Sequence, residues 1–152
     1  MKIGLIADTH DNLPLIKKAV ELFNRYKVGF VLHAGDFIAP FSIKPLFDLA
    51  CPWKGVLGNN DGEVRGLVKI SKGNISRQSL VLELGACRIT LVHEYKKADT
   101  DIIVFGHTHT PHIEKQGEQL LVNPGEASGW ISGKPSVAVL DLDPLFAEIV
   151  YL

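Results

Sequence analysis

Residues 1–10 read MKIGLIADTH, an apolar run from Ile3 to Ala7 that ends abruptly in polar residues. The run has the length of a buried strand and is far too short to span a membrane. Asn12 can then cap a helix over residues 13–25, with Pro14 in its first turn, where a missing N–H does no harm. A buried strand followed at once by a helix is typical of the repeating unit of a parallel sheet.

The same alternation continues through the first half of the chain, with strands predicted at 28–32 and 53–57 and a short helix at 42–49. The second half is richer in strands, which we expect at Leu80–Leu84, Arg88–Val92, Ile102–Phe105, His112–Lys115, Leu120–Asn123, Val137–Asp141 and Ala147–Tyr151. Two sheets packed face to face, with helices outside, are a more economical arrangement than one very wide sheet. We therefore predict an α/β protein with a single domain over residues 1–152.

Composition narrows the class of protein. Hydrophobic residues make up 46% and charged residues 22% of the chain, the net charge is -1, and no dense run of Lys or Arg occurs. A protein that grips nucleic acid mainly through its phosphates is expected to be more basic, so the sequence disfavours such a partner. No signal peptide or membrane span is recognisable, and a cytoplasmic protein is predicted. Cys51 and Cys87 form no CxxC pair and are expected to be packed, reduced and inert.

Residue types that bind divalent metals directly follow five of the predicted strands. They are Asp8, His10, Asp36, Asn59, His93, His107 and His109. Ligands of open α/β sheets bind beyond the carboxyl ends of the strands, which is where these side chains should lie. Each short motif alone also fits a turn, a cap or a polar strand end, but the set as a whole favours a metal site. Such a set suffices for two divalent cations, which can clamp the attacking and leaving oxygens of an in-line displacement.

The motifs occur in the order Asp-x-His, Gly-Asp, Gly-Asn-x-Asp, His and Gly-His-x-His. This order resembles the signature of the calcineurin-like metallophosphoesterase superfamily and, within it, the small YfcE-like phosphodiesterase group. The resemblance covers nearly the whole chain and includes Asn123-Pro124-Gly125, a loop that lies near the metals in the family. It implies a four-layer α/β-β/α sandwich, with two mixed sheets packed face to face and flanking helices. It also implies a phosphodiesterase that acts on small phosphodiesters.

The resemblance further implies two divalent metal ions. Manganese ranks first, with nickel, zinc, iron, cobalt and magnesium as alternatives, and the mixture of oxygen and imidazole donors does not itself distinguish among them. One metal would be bound by Asp8, His10, Asp36 and His109. The other would be bound by Asp36, Asn59, His93 and His107. A water or hydroxide between the ions would be the nucleophile, so no protein nucleophile is implied.

Two candidate catalytic residues follow the Gly-Asn pair. Many members of the family have a histidine at the next position, where it can protonate the leaving oxygen. Here that position is Asn60, which has no titratable proton near neutral pH. We therefore predict a preference for phosphodiesters with good leaving groups. Asp61 could carry a metal-bound water, orient a neighbour or cap the following turn.

The segment after His93 departs from the family. Glu94 replaces the usual glycine and is expected to point to solvent, and the stretch 94–100 is too short for the crossover helix that the family commonly has there. Either the strands on each side are not parallel neighbours, or the site is less covered on this side. If His93 lay far from the other ligands, the second metal would be weak or absent.

Three further residues are assigned outside the ligand set. His33 is expected to be a buried structural histidine, since it lies within a predicted strand, and His112 is expected to face solvent. Trp130 follows Gly129 in a flexible-looking stretch and could either flank the pocket or anchor the core.

Two other functions remain open at the level of sequence. A phosphomonoesterase could use the same pair of metals, and the small phosphoesterase-like subunit of the retromer coat uses this fold as a non-catalytic scaffold. A nuclease is disfavoured because the chain has no added substrate domain and no basic groove. The expected partner is a small phosphodiester substrate, no membrane partner is expected, and a homo-oligomer stays open.

Overall fold

The computed structural model describes all of residues 1–152. The first half of the chain contains the strands β1 (Lys2–Ile6), β2 (Phe30–His33), β3 (Trp53–Val56) and β4 (Ile75–Ser76), the helices α1 (Leu13–Tyr26) and α2 (Val64–Ile70), and a 3-10 helix (Pro40–Asp48). The second half contains only strands, namely β5 (Leu80–Leu84), β6 (Cys87–Leu91), β7 (Ile102–Val104), β8 (His112–Gln116), β9 (Gln119–Asn123), β10 (Ser136–Leu142) and β11 (Leu145–Tyr151).

The strands form two mixed sheets. The six-stranded sheet has the order β11-β10-β1-β2-β3-β4, in which β1 to β4 run parallel and β10 pairs antiparallel with both β1 and β11. The five-stranded sheet has the order β5-β6-β7-β9-β8, in which β6, β7 and β9 run parallel and the two edge strands are antiparallel. The prediction of an α/β sandwich built from two mixed sheets is confirmed.

Apolar side chains fill two layers. One cluster lies between the sheets and includes Leu5 and Val104, both fully buried. The other lies between the six-stranded sheet and the helices, where Phe23 of α1 is fully buried. Gly4 of β1 permits this contact, because a Cβ atom at Gly4 would lie 2.7 Å from the Phe23 ring. Burial of a side chain such as Phe23 contributes roughly 1.5–3 kcal/mol, so this contact helps to hold α1 against β1.

The outer face of the five-stranded sheet has no helix, so helices flank the sandwich only on the side of the six-stranded sheet. The strands β6 and β7 are parallel neighbours, and the residues between them, 92–101, form an irregular segment. Ala98 of this segment packs on a small cluster that includes Val92 and Phe105. The alternative that these strands are not parallel neighbours is therefore wrong. The other alternative holds, and this side of the site is less covered. Glu94 is exposed, as expected.

The structure differs from the predicted elements at a few places. The helix α2 and the two-residue strand β4 were not predicted, and the predicted helix at 42–49 is a 3-10 helix that begins at Pro40. The strand β2 begins at Phe30 instead of residue 28, because Lys27 adopts a left-handed conformation (φ 52°) that ends α1 and turns the chain. None of the helices combines the length and the apolar character needed to cross a membrane.

Candidate metal centre

The loops that follow β1, β2, β3, β6 and β7 meet at one edge of the molecule. Backbone hydrogen bonds join them: the Asp8 amide donates to the Gly35 carbonyl at 3.0 Å, and the Gly106 amide donates to the His93 carbonyl at 2.9 Å. The His107 amide donates to Asp8 Oδ2 at 3.1 Å. This last bond joins a loop of the five-stranded sheet to a loop of the six-stranded sheet, so it fixes the position of the two halves of the site relative to each other.

Several of these loops have strained backbone. Five of the seven predicted ligands have positive φ angles, namely Asp8 (52°), His10 (37°), Asp36 (60°), His107 (68°) and His109 (58°). A non-glycine residue in this region costs roughly 1–3 kcal/mol, and such residues concentrate at functional sites. The surrounding structure therefore maintains conformations that aim these side chains toward one another.

Two glycines permit the close approach of these loops. A Cβ atom added to Gly106 would lie 2.8 Å from Asp8 Oδ2, and one added to Gly58 would collide with Asp36 Oδ1. Both carboxylates therefore lie directly against neighbouring backbone.

The first group of side chains consists of Asp8, His10, Asp36 and His109. One ligand atom from each lies within 4.8 Å of all the others. His10 Nε2 is 3.5 Å from Asp36 Oδ2, and His109 Nε2 is 3.7 Å from Asp8 Oδ1. Asp8 Oδ1 and His10 Nε2 are buried without any hydrogen-bond partner. Buried polar atoms are rarely left unpaired in proteins, and a divalent cation would satisfy both of these.

The second group consists of Asn59, His93 and His107. Asn59 Oδ1 lies 2.7 Å from His93 Nε2 and 2.9 Å from His107 Nδ1. The other ring nitrogen of His93 lies 2.8 Å from the Ala34 carbonyl, to which it donates. A neutral imidazole has only one N–H, so with the amide in this orientation His93 Nε2 faces an oxygen with a lone pair. A cation between them would remove that conflict, so the residues present fit a metal ion.

Asp36 lies between the two groups. Its Oδ2 atom is 3.5 Å from His10 Nε2 and 3.6 Å from His93 Nε2. The structure therefore brings all seven predicted side chains together. The concern that His93 would lie apart is not realised, while the role of the seven as metal ligands stays a prediction.

Asn60 and Asp61 both support Asp36. Asn60 Nδ2 donates to Asp36 Oδ2 at 2.8 Å, and its backbone amide donates to Asp36 Oδ1 at 2.9 Å. Asp61 is buried, and its carboxylate accepts from the backbone amides of Gly58 (2.7 Å), Asp36 (3.2 Å) and Ile38 (2.7 Å). Of the three roles considered for Asp61, the structure favours the orientation of its neighbours, since its oxygens face backbone amides.

Burial and charge shift the protonation equilibria of the first group. Burial, with the nearby Asp36 charge, raises the pKa of Asp8 to about 8. Burial, with His109 close by, lowers the pKa of His10. Protein without metal therefore holds Asp8 charged at high pH only at a cost to stability.

That cost leads to a prediction for chelator-treated protein. The pKa of Asp8 in the folded protein lies above its ordinary value of 3.8, so the folded protein binds this proton more tightly than the unfolded chain does. This proton binding stabilises the fold fully below pH 3.8, and the stabilisation is lost as the pH rises through 8. The contribution of Asp8 to the free energy of unfolding should therefore fall by about 1.4 kcal/mol per pH unit between roughly pH 5 and 7, and by about half as much per unit at pH 8. His10, whose pKa is lowered, has the opposite effect below its ordinary value of 6.5, so the comparison with a variant at Asp8 is needed to isolate the contribution of Asp8. Urea unfolding of the wild type and of Asp8→Asn measures the effect; an equal slope in the variant would show that Asp8 is not its source.

Sequence reasoning missed Glu126. Its Oε1 atom lies 3.2 Å from His109 Nδ1, although the angle between them is not that of a hydrogen bond, and the carboxylate is fully buried. Burial alone would raise its pKa, but hydrogen bonds from Ser132, Ile131 and Ser128 outweigh burial and lower the pKa to about 2. The available signal was an acidic residue directly after Asn123-Pro124-Gly125, a loop already expected near the metals.

His33 is buried, as expected, and it stabilises the loops from beneath. The Gly35 amide donates to His33 Nδ1 at 3.2 Å, so Nε2 carries the proton and donates to Thr9 Oγ1 at 3.1 Å. The His33 ring stacks on Phe37 with 3.7 Å between centroids. Burial also lowers its pKa well below the usual range, which keeps the ring neutral.

His112 and Trp130 both lie at the surface. His112 faces solvent, as expected, and its Nε2 lies 3.0 Å from Glu114 Oε2. Trp130 is 67% exposed, and its Nε1 donates to the His10 carbonyl at 3.1 Å. Of its two alternatives, Trp130 flanks the site and does not anchor the core.

The class of protein follows from the fold and from the position of this cluster at the strand ends. Metallophosphoesterases combine a two-sheet sandwich with such a cluster, and the prediction of this class of enzyme is confirmed by comparison with known proteins. The chain belongs to the calcineurin-like phosphoesterase superfamily, since residues 1–144 match the sequence profile of that superfamily's domain.

Characterised relatives extend over the whole chain. The phosphodiesterase MJ0936 of Methanocaldococcus jannaschii is 35% identical over 164 residues, which cover 99% of each chain. A solved structure described as a novel archaeal phosphodiesterase superposes with a TM-score of 0.92 at 33% identity and covers 100% of both chains. The phosphoesterase YfcE from E. coli superposes with a TM-score of 0.80 at 25% identity, over 99% of this chain and 98% of that one. The resemblance to the small YfcE-like group is thereby confirmed.

Proposed function

We propose that this metallophosphoesterase hydrolyses small phosphodiesters at a site that holds two divalent metal ions. The observation that carries the proposal is the position of Asp36 Oδ2, which is 3.5 Å from His10 Nε2 and 3.6 Å from His93 Nε2. One carboxylate oxygen therefore faces both groups of nitrogen ligands, as a shared ligand of two ions must.

The side chains divide into two sets around Asp36. Asp8, His10 and His109 would hold one ion with Asp36, and Asn59, His93 and His107 would hold the other. Two ions bound there would activate a water as the nucleophile and offset negative charge on the phosphoryl oxygens. We propose manganese as the native metal, ahead of nickel, zinc, iron, cobalt and magnesium, although the mixture of oxygen and imidazole donors is compatible with each of these ions.

Residues outside the two sets fix the orientation of the ligands. The Ala34 carbonyl accepts from His93 Nδ1 at 2.8 Å, which directs Nε2 into the site. Asp61 holds the backbone of Gly58 and Asp36, and Asn60 holds the Asp36 carboxylate itself. Such outer contacts commonly change metal affinity or activity by about 10–100-fold when they are removed. The site therefore depends on its hydrogen-bonded surroundings as well as on the ligands.

A direct test compares a phosphodiester with its monoester. Purified protein in excess Mn²⁺ should hydrolyse bis(p-nitrophenyl) phosphate faster than p-nitrophenyl phosphate. Dominant monoester hydrolysis would favour the phosphomonoesterase alternative. Absence of both metal binding and hydrolysis would favour the non-catalytic scaffold, although all seven ligand positions carry suitable residues.

Asn60 leads to a prediction about leaving groups. Its amide cannot protonate a departing alkoxide, so the wild type should hydrolyse aryl phosphodiesters much faster than alkyl phosphodiesters. General acid catalysis is worth roughly 100-fold or more, and Asn60→His should therefore raise the ratio of the alkyl rate to the aryl rate, even where loss of the Asn60–Asp36 hydrogen bond lowers both rates. Matched kcat/KM values for an aryl and an alkyl diester measure this difference. Equal turnover of both by the wild type would contradict the prediction.

A further inference from the structure

We propose that Trp130 is an aromatic platform of the substrate site, which takes the planar ring of an aryl or nucleoside phosphodiester. The inference rests on the proposed function, because it assigns a substrate class to the same site. It arises from an exposed aromatic side chain that forms a hydrogen bond with the backbone of one of the predicted metal ligands.

The position of Trp130 is set by a specific contact. Its Nε1–H donates to the His10 carbonyl at 3.1 Å, and the His10 ring reaches to within 3.5 Å of Asp36 Oδ2. One edge of the indole is thus held against the backbone of His10, a residue of the first group. The side chain is nevertheless 67% exposed, so most of the ring surface is free to accept a ligand.

The loop that carries Trp130 is anchored from beneath. The buried Glu126 carboxylate accepts from the backbone amides of Ile131 (3.1 Å) and Ser132 (2.8 Å), the two residues after Trp130. On the other side, the Ser128 amide donates to the Asp8 carbonyl at 3.0 Å. Both ends of the loop are therefore joined to the metal centre, either through Asp8 or through the Glu126–His109 contact. A platform held in this way loses little conformational freedom when a ligand binds.

The chemistry of the ligand follows from the chemistry of the platform. An exposed indole offers a large apolar π-face, which stacks on aryl rings and on every nucleobase with little dependence on sequence. Ile131, the next residue in the chain, is 78% exposed and adds a second exposed apolar side chain to the same loop. A substrate whose phosphate lies between the ligand groups could place one organic substituent against this surface. This arrangement favours a ring-bearing diester over a simple alkyl diester.

Fluorescence gives a test that does not depend on turnover. The chain has two tryptophans, and Trp53 is only 4% exposed, so acrylamide quenching reports on Trp130. With Mn²⁺-loaded protein, AMP should protect the fluorescence from acrylamide, whereas ribose 5-phosphate, which lacks the base, should not. Equal protection by the two probes, or no protection by either, would overturn the inference.

Calorimetric titration of variants separates the ring from its hydrogen bond. The Mn²⁺-loaded wild type should bind AMP about 10-fold more tightly than ribose 5-phosphate. Trp130→Ala should abolish this preference and Trp130→Phe should keep most of it, because the ring remains while the bond to His10 is lost. Phe146→Ala, which removes a remote aromatic side chain that is 60% exposed, should leave the preference unchanged. An equal loss in Trp130→Ala and Trp130→Phe, or no loss in Trp130→Ala, would contradict a stacking role.

The failure of this inference differs from the failure of the proposed function. If the wild type hydrolyses bis(p-nitrophenyl) phosphate but binds AMP and ribose 5-phosphate equally, the platform is wrong and the phosphodiesterase assignment stands. If AMP is preferred but no diester is hydrolysed, the platform stands and the assignment of the reaction is wrong.

Discussion

Asp36→Asn is expected to prevent stable binding of both metal ions and to reduce phosphodiester hydrolysis by more than about 100-fold. The estimate starts from outer contacts of metal sites, whose loss costs about 10–100-fold; loss of a charged ligand shared by two ions must cost more. Asp36 Oδ2 is the atom that faces His10 and His93 together, and an amide at this position cannot supply a bridging anion. Mn²⁺ titration and kcat/KM for an aryl diester measure the two effects.

The same variant should fold normally when no metal is present. Asp8 and Asp36 are both buried, and the charge of Asp36 contributes to the raised pKa of Asp8. Removal of that charge relieves repulsion, while the amide can accept only one of the two hydrogen bonds from Asn60, so the Tm of chelator-treated Asp36→Asn should stay close to that of the wild type. His112→Ala is the matched histidine control, because His112 is exposed and contacts Glu114. A large loss of activity in His112→Ala, or full activity in Asp36→Asn, would contradict the assignment of the ligands.

Glu126→Gln is expected to weaken binding of the metal ion at the first group, which includes His109, by about 10–100-fold. The affinity for the ion at the second group (Asn59, His93 and His107) should stay nearly unchanged. Carboxylates that contact the second nitrogen of a ligand histidine orient the ring and raise its basicity, and their loss typically costs this much. Glu126 Oε1 lies 3.2 Å from His109 Nδ1 and makes no comparable contact with His93 or His107. A Mn²⁺ titration should therefore change from two tight steps to one tight and one weaker step.

A second variant, Glu126→Ala, separates a role of Glu126 in metal binding from a purely structural role in the loop. Glu126→Ala leaves the amides of Ile131 and Ser132 without their acceptor, and an unsatisfied amide costs up to about 1–3 kcal/mol when it is fully buried and less where water reaches it, as at this partly buried position. This variant should lower Tm more than Glu126→Gln does. If Glu126→Gln lowers Tm but leaves both metal steps unchanged, Glu126 supports the loop alone and does not orient His109.

The sequence predicted the place of the cluster because strand periodicity and topology determine it. Apolar runs that end in Asp8, Asp36 and Asn59 become parallel strands, and the carboxyl ends of parallel strands meet at one edge. His93 and His107 follow β6 and β7, which belong to the other sheet. Their convergence required the face-to-face packing that the length and number of strands favoured.

Contacts that depend on loop geometry were not predictable in the same way. The proximity of Glu126 to His109 depends on the path of a loop 17 residues further along the chain. Asp61 binds three backbone amides only because the turns after β2 and β3 pack against each other. The helix α2 was missed because its residues carry weak signals, with Gly66 in its interior and no side chain that caps its first turn. Local patterns identify residue types and strand ends, whereas tertiary contacts decide which polar groups become partners.

Electron paramagnetic resonance of fully Mn²⁺-loaded protein tests most directly whether seven side chains gather around a pair of cations. The geometry predicts two ions per chain that share the Asp36 carboxylate, so their spectrum should be exchange-coupled and should disappear in Asp36→Asn. A spectrum of isolated ions, or saturation at one ion per chain, would contradict a paired site.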